Sequence, residues 1–348
     1  MVKKNIVFLF PGQGAQFPGM GLDLCETSPA AREIFSIASE TLGLDMTALI
    51  RDSGAEKLMR TDISQITLTA ASLAAAAALR EKGIVPAACA GFSLGEYPAL
   101  ACAGVIGVAD CFTLTQARGR AMQAAVDRIA GSGELANLAA NSAAASTAES
   151  AAEAAKTPGM AAVLGLAPEQ VEGLIAEWKK SAAADFAGDL YAANINSPKQ
   201  TVVSGTSAAL SEAEKRFKEA GAKRFIRLRV AGPFHSPFMK EAAEAFAPIL
   251  EAAAFGDPEI AVFSNVTGKR IQSGNDAKAL ALRQICEGVR WTDEEAAIAA
   301  LNPDAVFETG PGKVLQGLWR DTGSAVPCHG AGTAEEIDEL CKRLLSQN

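Results

Sequence analysis

A serine stands between two glycines at Gly91-Phe92-Ser93-Leu94-Gly95, after the short, small, apolar stretch Pro86–Phe92. The residues beyond it have helical character to about position 103. A strand that turns into a helix within so few residues brings backbone onto backbone, and glycine tolerates that approach. The pattern predicts strand, tight turn, helix, the repeating unit of an α/β fold. A similar turn is expected near the start, where Ile6–Phe10 reads as a buried strand running into Pro11-Gly12-Gln13-Gly14.

Helices are expected at about 28–42, 64–82 and 108–129; the second is Ala-rich and apolar nearly all round, as suits a helix buried in the core. Between Leu135 and Ala155, 11 of 21 residues are Ala, and this stretch reads as a surface insertion. A denser alternation follows: strand Ala161–Leu166, helix 167–181, strands Tyr191–Asn196 and Gln200–Ser204, helix 207–221 and strand 223–230. It predicts a small α+β subdomain over 131–231, set into a larger α/β domain formed by 1–130 and 232–348. The larger domain resumes with strands at Ile260–Ser264 and Ala305–Glu308.

Composition excludes several functions. Lys plus Arg number 32 against 40 Asp plus Glu, a net charge of −8, which argues against a dedicated nucleic-acid binder. Seven scattered Cys without a C-x-x-C pair form neither a disulfide framework nor a zinc motif, and point to reduced thiols in a cytoplasmic protein. His235 and His329 are the only histidines, so a multi-histidine metal site is excluded and no metal is expected. The run Ile6–Phe10 is too short for a signal-peptide core, and Ala70–Leu79 is half a membrane span; no membrane association is expected.

Ser93 has two readings. At a strand–turn–helix junction it projects as a nucleophile, and N–H groups at the helix start face the same point and stabilise an oxyanion. Ser93-x-x-Glu96 is also a capping box, in which the serine only satisfies the helix N-terminus. A nucleophile needs a base. His235 lies in the loop Gly232-Pro233-Phe234-His235-Ser236-Pro237 and His329 in Pro327-Cys328-His329-Gly330; spacing alone does not choose between them. Arg118 has an apolar surround, suited to a buried bidentate clamp on a carboxylate, whereas Arg120 reads as a solvated charge. Gly12-x-Gly14 lacks the third glycine of a dinucleotide loop, since Phe17 stands there. Gly310-Pro311-Gly312-Lys313-Val314 lacks the Ser or Thr of a phosphate-binding loop.

Several of these motifs together resemble one family, the malonyl-CoA:acyl carrier protein transacylases and related polyketide acyltransferase domains. Phe10-Pro11-Gly12-Gln13-Gly14-Ala15-Gln16 resembles their N-terminal signature, and Gly91–Ala99 their nucleophile motif. Arg118-Gly119-x-Ala121-Met122-Gln123, Asn196-Ser197-Pro198-x-Gln200 and Phe234-His235-Ser236 are similar to their arginine, inner and histidine motifs. Glu308-x-Gly310-Pro311-Gly312-Lys313-Val314-Leu315 resembles the C-terminal one, so the likeness spans nearly the whole chain in family order.

The resemblance implies an α/β-hydrolase-like large domain with an inserted ferredoxin-like subdomain. It implies transfer of a malonyl group from malonyl-CoA to the phosphopantetheine thiol of acyl carrier protein, supplying fatty-acid biosynthesis, through a malonyl ester on Ser93. His235 would be the base, oriented by a backbone carbonyl around Gly288–Trp291, and Arg118 would bind the malonyl carboxylate. The backbone N–H groups of Gln13 and Leu94 would form the oxyanion hole, with Gln65 and Asn196 lining the site. No cofactor beyond the two substrates is implied. A free-standing acyltransferase or acyl hydrolase of a polyketide-type pathway is the alternative.

Some positions depart from the family. Phe92 stands where a His is usual and predicts a less polar pocket wall, and Pro98 predicts a distortion in the helix after the nucleophile. The Ala-rich insertion has no counterpart in compact members. Phe234 resembles the residue of malonyl-selecting domains, and its ring is expected to crowd a 2-methyl branch. The segment Lys215–Arg229 holds seven basic residues and one acid, Glu219. Within it Lys215, Arg216, Lys218, Lys223 and Arg224 are candidate docking residues for an acidic carrier protein, or simply a solvated face. A monomer is expected.

Overall fold

The computed structural model describes residues 4–141, 157–181, 185–228 and 232–346. Contacts divide the chain into two compact units: Met1–Arg120 with Phe246–Leu282 and Asp293–Asn348, and Ala121–Ala245 with Arg283–Thr292. The second unit takes in residues on both sides of the 131–231 stretch expected from the sequence. At its start this is because the helix beginning at Val108 runs unbroken to Asn141 and carries the chain from the first unit into the second. Residues 135–141 of the Ala-rich stretch belong to that helix; the remainder, 142–155, lies outside the described residues.

In chain order the strands are β1 Ile6–Phe10, β2 Ala88–Gly91, β3 Pro158–Leu164, β4 Leu190–Ser197, β5 Gln200–Thr206, β6 Arg224–Arg227, β7 Ala261–Val262, β8 Ala305–Glu308 and β9 Cys328–Gly330. The first unit holds a parallel sheet ordered β7-β2-β1-β8-β9. Every residue of β1, β2 and β8 is buried, as a parallel sheet with covered faces requires. Register sets Phe10 beside Gly91, so the turns that leave β1 and β2 start level with one another.

The helix Thr61–Glu81 belongs to the same unit. By length and composition it is apolar enough to cross a membrane, yet most of it is packed inside the fold. Two of its buried hydroxyls bond back along the helix, Thr67 to the Ile63 carbonyl and Thr69 to the Gln65 carbonyl.

In the second unit β3, the helix Pro168–Lys180, β4, β5, the helix Ser207–Glu219 and β6 follow as βαββαβ. Their antiparallel sheet is ordered β4-β5-β3-β6. Alternation along β3 separates two faces. Ala161 and Val163 pack with Val171, Ile175 and Trp178 of one helix and Leu210 and Phe217 of the other. Met160 and Ala162 point the other way, with Val202, and Phe234 packs against that face.

Candidate active site

Ser93 follows β2 directly and sits at φ +53°, in the left-handed region. A side chain there costs about 1–2 kcal/mol, so its surroundings have to impose the conformation. Part of that constraint is steric. A Cβ on Gly91 would lie 1.9 Å from the Gly95 carbonyl oxygen, and one on Gly95 2.1 Å from that of Phe10. A Cβ on Gly12 would lie 2.5 Å from the Phe92 oxygen, so the Gly12-Gln13 loop sits against the turn that carries the serine.

The rest of the constraint is a tether that the sequence reading missed. Asn265, in the loop after β7, accepts the Ser93 N–H on Oδ1 at 2.7 Å. Its Nδ2 donates to the Gly91 carbonyl and to Glu294 Oε1, both at 2.7 Å, and its own N–H donates to Glu96 Oε2 at 2.9 Å. The Ser93 N–H that a capping box would donate to Glu96 goes instead to Asn265, whose own N–H Glu96 accepts. Burial and the neighbouring Glu96 push the Glu294 carboxyl well above the usual carboxylate range, which favours its protonated form. Pro98 falls in the first turn of the helix Glu96–Cys102, where a backbone N–H has no intrahelical acceptor, so its missing donor leaves no gap there.

Arg118 is fully buried, its guanidinium carbon 5.5 Å from the centre of the Tyr97 ring. Burial lowers its pKa while Tyr97 and Glu96 hold it up, and a guanidinium keeps its charge through such shifts. A desolvated cation of this kind is suited to receive an anion. Gly119 explains the position: a Cβ there would lie 3.1 Å from the Thr61 carbonyl oxygen and 3.3 Å from the Gln65 Cβ. The helix bearing Arg118 thus lies close against the helix bearing buried Gln65. Arg120 is exposed, as expected. Leu94 is buried in the turn Ser93–Gly95, its N–H at a helix start, and Gln13 is half-buried, its side chain reaching the Met59 carbonyl.

His235 belongs to the second unit and is also left-handed, at φ +55°. Its ring is buried, with Nδ1 2.8 Å from the carbonyl oxygen of Gln284. Since a carbonyl only accepts, Nδ1 carries the proton and Nε2 is left as the basic nitrogen. The orienting carbonyl is thus Gln284, not one around Gly288–Trp291. Gln284 follows the C-terminal end of the helix Gly274–Arg283, where carbonyls lack intrahelical partners. The expected segment is otherwise engaged: Val289 accepts from the Ile195 N–H and donates to the Ala193 carbonyl, extending the edge at β4. Ser236 donates to the Pro233 carbonyl and meets Ser204 of β5, which stiffens the histidine loop.

Asn196, on β4, is half-buried, with a side-chain oxygen that has no hydrogen-bond partner among the described residues. Phe234 is partly buried against the β3 face. His329 lies on the edge strand β9, its Nδ1 3.5 Å from the Arg343 guanidinium, and burial and that cation lower its pKa. It reads as part of the strand edge. Glu308 caps the helix Val314–Asp321 through the N–H groups of Leu315 and Gln316, so the glutamate of the C-terminal motif holds a turn. Of the basic stripe, Lys215 and Arg216 pair with Glu212 and Lys218 with Glu214; Lys215, Lys218, Lys223 and Arg224 are exposed. Arg229 lies outside the described residues.

The acyl transferase domain family matches residues 7–131 and 127–338. Over 345 residues the chain is 35% identical to the malonyl CoA-acyl carrier protein transacylase of Bacillus subtilis (strain 168), covering 99% of this chain and 98% of that one. An acyl carrier protein S-malonyltransferase from Vibrio cholerae O1 biovar eltor matches with a TM-score of 0.82 at 33% identity, covering 97% and 99% of the two chains. A structure of a type II PKS acyl-carrier protein in complex with its malonyl-transacylase matches with a TM-score of 0.81 at 32% identity, covering 97% and 99%.

Proposed function

Because the chain belongs to the malonyl-CoA:acyl carrier protein transacylases of the acyl transferase family, we propose that it moves a malonyl group from malonyl-CoA to the phosphopantetheine thiol of acyl carrier protein. The left-handed Ser93, held by Asn265 at the head of a parallel strand, is the observation that carries this reading.

His235 Nε2 takes the Ser93 hydroxyl proton as the oxygen attacks the thioester carbonyl. The backbone N–H groups of Gln13 and Leu94 receive the oxyanion, and Arg118 pairs with the free malonyl carboxylate. Coenzyme A leaves with the proton from His235, and the carrier thiol reverses the sequence. Gln65 and Asn196 line the acyl site; the unpartnered Asn196 oxygen supports this. Phe234, braced by Met160 and Ala162, disfavours a 2-methyl branch; a wild-type rate with methylmalonyl-CoA equal to that with malonyl-CoA would remove that role. The chemistry draws on no metal or redox cofactor.

The parallel-sheet unit, with its glycine-flanked serine turn, supports the hydrolase-like description, and the βαββαβ order of the other supports the ferredoxin-like one. Lys215, Lys218, Lys223 and Arg224 are all exposed, and of these the carrier-docking residues best supported are those outside the ion pairs with Glu212 and Glu214, Lys223 and Arg224. Reversing both charges should slow transfer to carrier protein and leave acylation by malonyl-CoA intact. A cytoplasmic setting fits the seven unbonded cysteines.

Intact mass after mixing with malonyl-CoA alone tests the reading. One malonyl unit is gained by the wild type and none by Ser93→Ala. Coenzyme A accumulating without a mass gain would favour a hydrolase. A polyketide role is the second reading, favoured by the likeness to a transacylase solved with a type II PKS carrier. Higher kcat/KM with a polyketide carrier than with a fatty-acid carrier would select it.

A further inference from the structure

Tyr97 is the second residue of the helix Glu96–Cys102, which the Ser93–Gly95 turn enters directly, and its side chain is fully buried. Side chains and backbone from other helices of the same unit meet it. Arg118 lies over its ring, the guanidinium carbon 5.5 Å from the centre. Phe246, in the helix Lys240–Ala252, forms a T-shaped pair with it, the ring centres 6.3 Å apart and the planes at 73°. Its hydroxyl makes a long hydrogen bond, 3.5 Å, to the carbonyl oxygen of Ala281 in the helix Gly274–Arg283.

An arginine is a loose clamp until its long side chain is held in one place. A cation over an aromatic face is attracted by the ring quadrupole, and more strongly when both are out of water, as Arg118 and Tyr97 are. The ring itself is a fixed surface, since turning it would displace Phe246 and break the bond to Ala281. Tyr97 and Ser93 also share one short stretch of chain, so whatever Tyr97 holds is tied to the nucleophile. A malonyl ester on Ser93 carries its carboxylate one methylene from the ester carbonyl. The guanidinium that receives it therefore has to stand at a set distance from the serine oxygen.

On the malonyl-transfer reading, on which this rests, we infer that Tyr97 is a positioning residue whose ring fixes the Arg118 guanidinium at the span of a malonyl group and so sets the preference for an acyl group ending in a carboxylate. Tyr97 acts on the acyl group only through Arg118. Its loss is felt by a malonyl donor and not by an acetyl donor, which presents nothing to the guanidinium.

Initial rates of Ser93 acylation by malonyl-CoA and by acetyl-CoA, read by intact mass on the full chain, test this. Tyr97→Phe keeps the aromatic face and loses the hydroxyl, and should stay within about threefold of wild type with both donors. Tyr97→Met fills the space without an aromatic face. It should lower kcat/KM for malonyl-CoA about tenfold, chiefly through a raised KM, and leave acetyl-CoA little changed. In an Arg118→Ala background the same change should cost nothing further, because residues that act through one contact are not additive. Pentafluorophenylalanine at position 97 keeps nearly the shape of phenylalanine with an electron-poor ring, so it should lose malonyl-CoA as methionine does even if the methionine variant fails to fold. Equal losses with both donors, unchanged malonyl selectivity without the electron-rich ring, or a full further loss in the Arg118→Ala background would assign Tyr97 to packing and overturn the positioning role. A wild type that takes no malonyl group from malonyl-CoA overturns the malonyl-transfer reading itself.

Discussion

Replacing Asn265 with alanine removes the acceptor of the Ser93 N–H together with the donors to the Gly91 carbonyl and to Glu294. Gly91 and Glu294 are buried and lose a partner in a place water does not readily fill, whereas the half-buried Ser93 N–H finds solvent more easily. With orphaned buried groups costing about 1–3 kcal/mol each, the expected loss of stability is roughly 3–5 kcal/mol. The catalytic effect has a separate origin. Without its tether Ser93 relaxes from the left-handed region, and the about 1–2 kcal/mol that this conformation costs appears in the barrier, a fall of about 5- to 30-fold in acylation. Urea unfolding reads the first quantity and a quenched-flow mass time course of Ser93 malonylation reads the second. Asn265→Asp keeps the Oδ1 acceptor while losing both Nδ2 bonds, so it should lose stability while retaining more of the acylation rate than alanine. An Asn265→Ala protein that is folded at the assay temperature and malonylates within twofold of wild type would refute the tether.

Other outcomes follow from the same geometry. The Glu294 carboxyl titrates above its ordinary value, so the stability it contributes is fully present below about pH 4.5 and is lost as pH rises through the raised value. Glu294→Gln does not titrate; wild type should lose stability relative to it with rising pH, by at most about 1.4 kcal/mol per pH unit, in paired unfolding curves. A pH-independent difference would count against a raised carboxyl. Gly91→Ala puts a methyl 1.9 Å from the Gly95 oxygen and should give insoluble protein or protein that does not malonylate, which expression and intact mass will show. Arg118→Ala should lower kcat/KM for malonyl-CoA by about 100-fold or more while leaving acetyl-CoA little changed, since only malonyl presents a carboxylate. Equal losses with both acyl groups would assign Arg118 to packing.

Local chemistry made much of this protein legible from its sequence. β1 and β8 occur where short apolar runs end in glycine turns, and the βαββαβ order appears with ends shifted by a few residues, because side-chain period and turn chemistry act over neighbouring positions. Ser93 and Arg118 stood out as candidates for the same reason, each in a short motif whose flanking glycines or apolar residues announce it, whereas His235 was singled out from His329 only by its resemblance to a family motif. The helices Lys240–Ala252 and Gly274–Arg283 and the strand β9 were not read, and Gly288–Trp291 was expected where Gln284 stands. A backbone carbonyl has no side chain to mark it; what selects Gln284 is the end of a helix, 49 positions from the histidine. Asn265 reaches Ser93 across 172 positions, and its partner Glu294 lies in a third segment. Only the packing that brings β2, the loop after β7 and the helix Trp291–Ala299 together decides that these residues meet, since a hydrogen bond depends on distance in space and the chain order leaves that distance open.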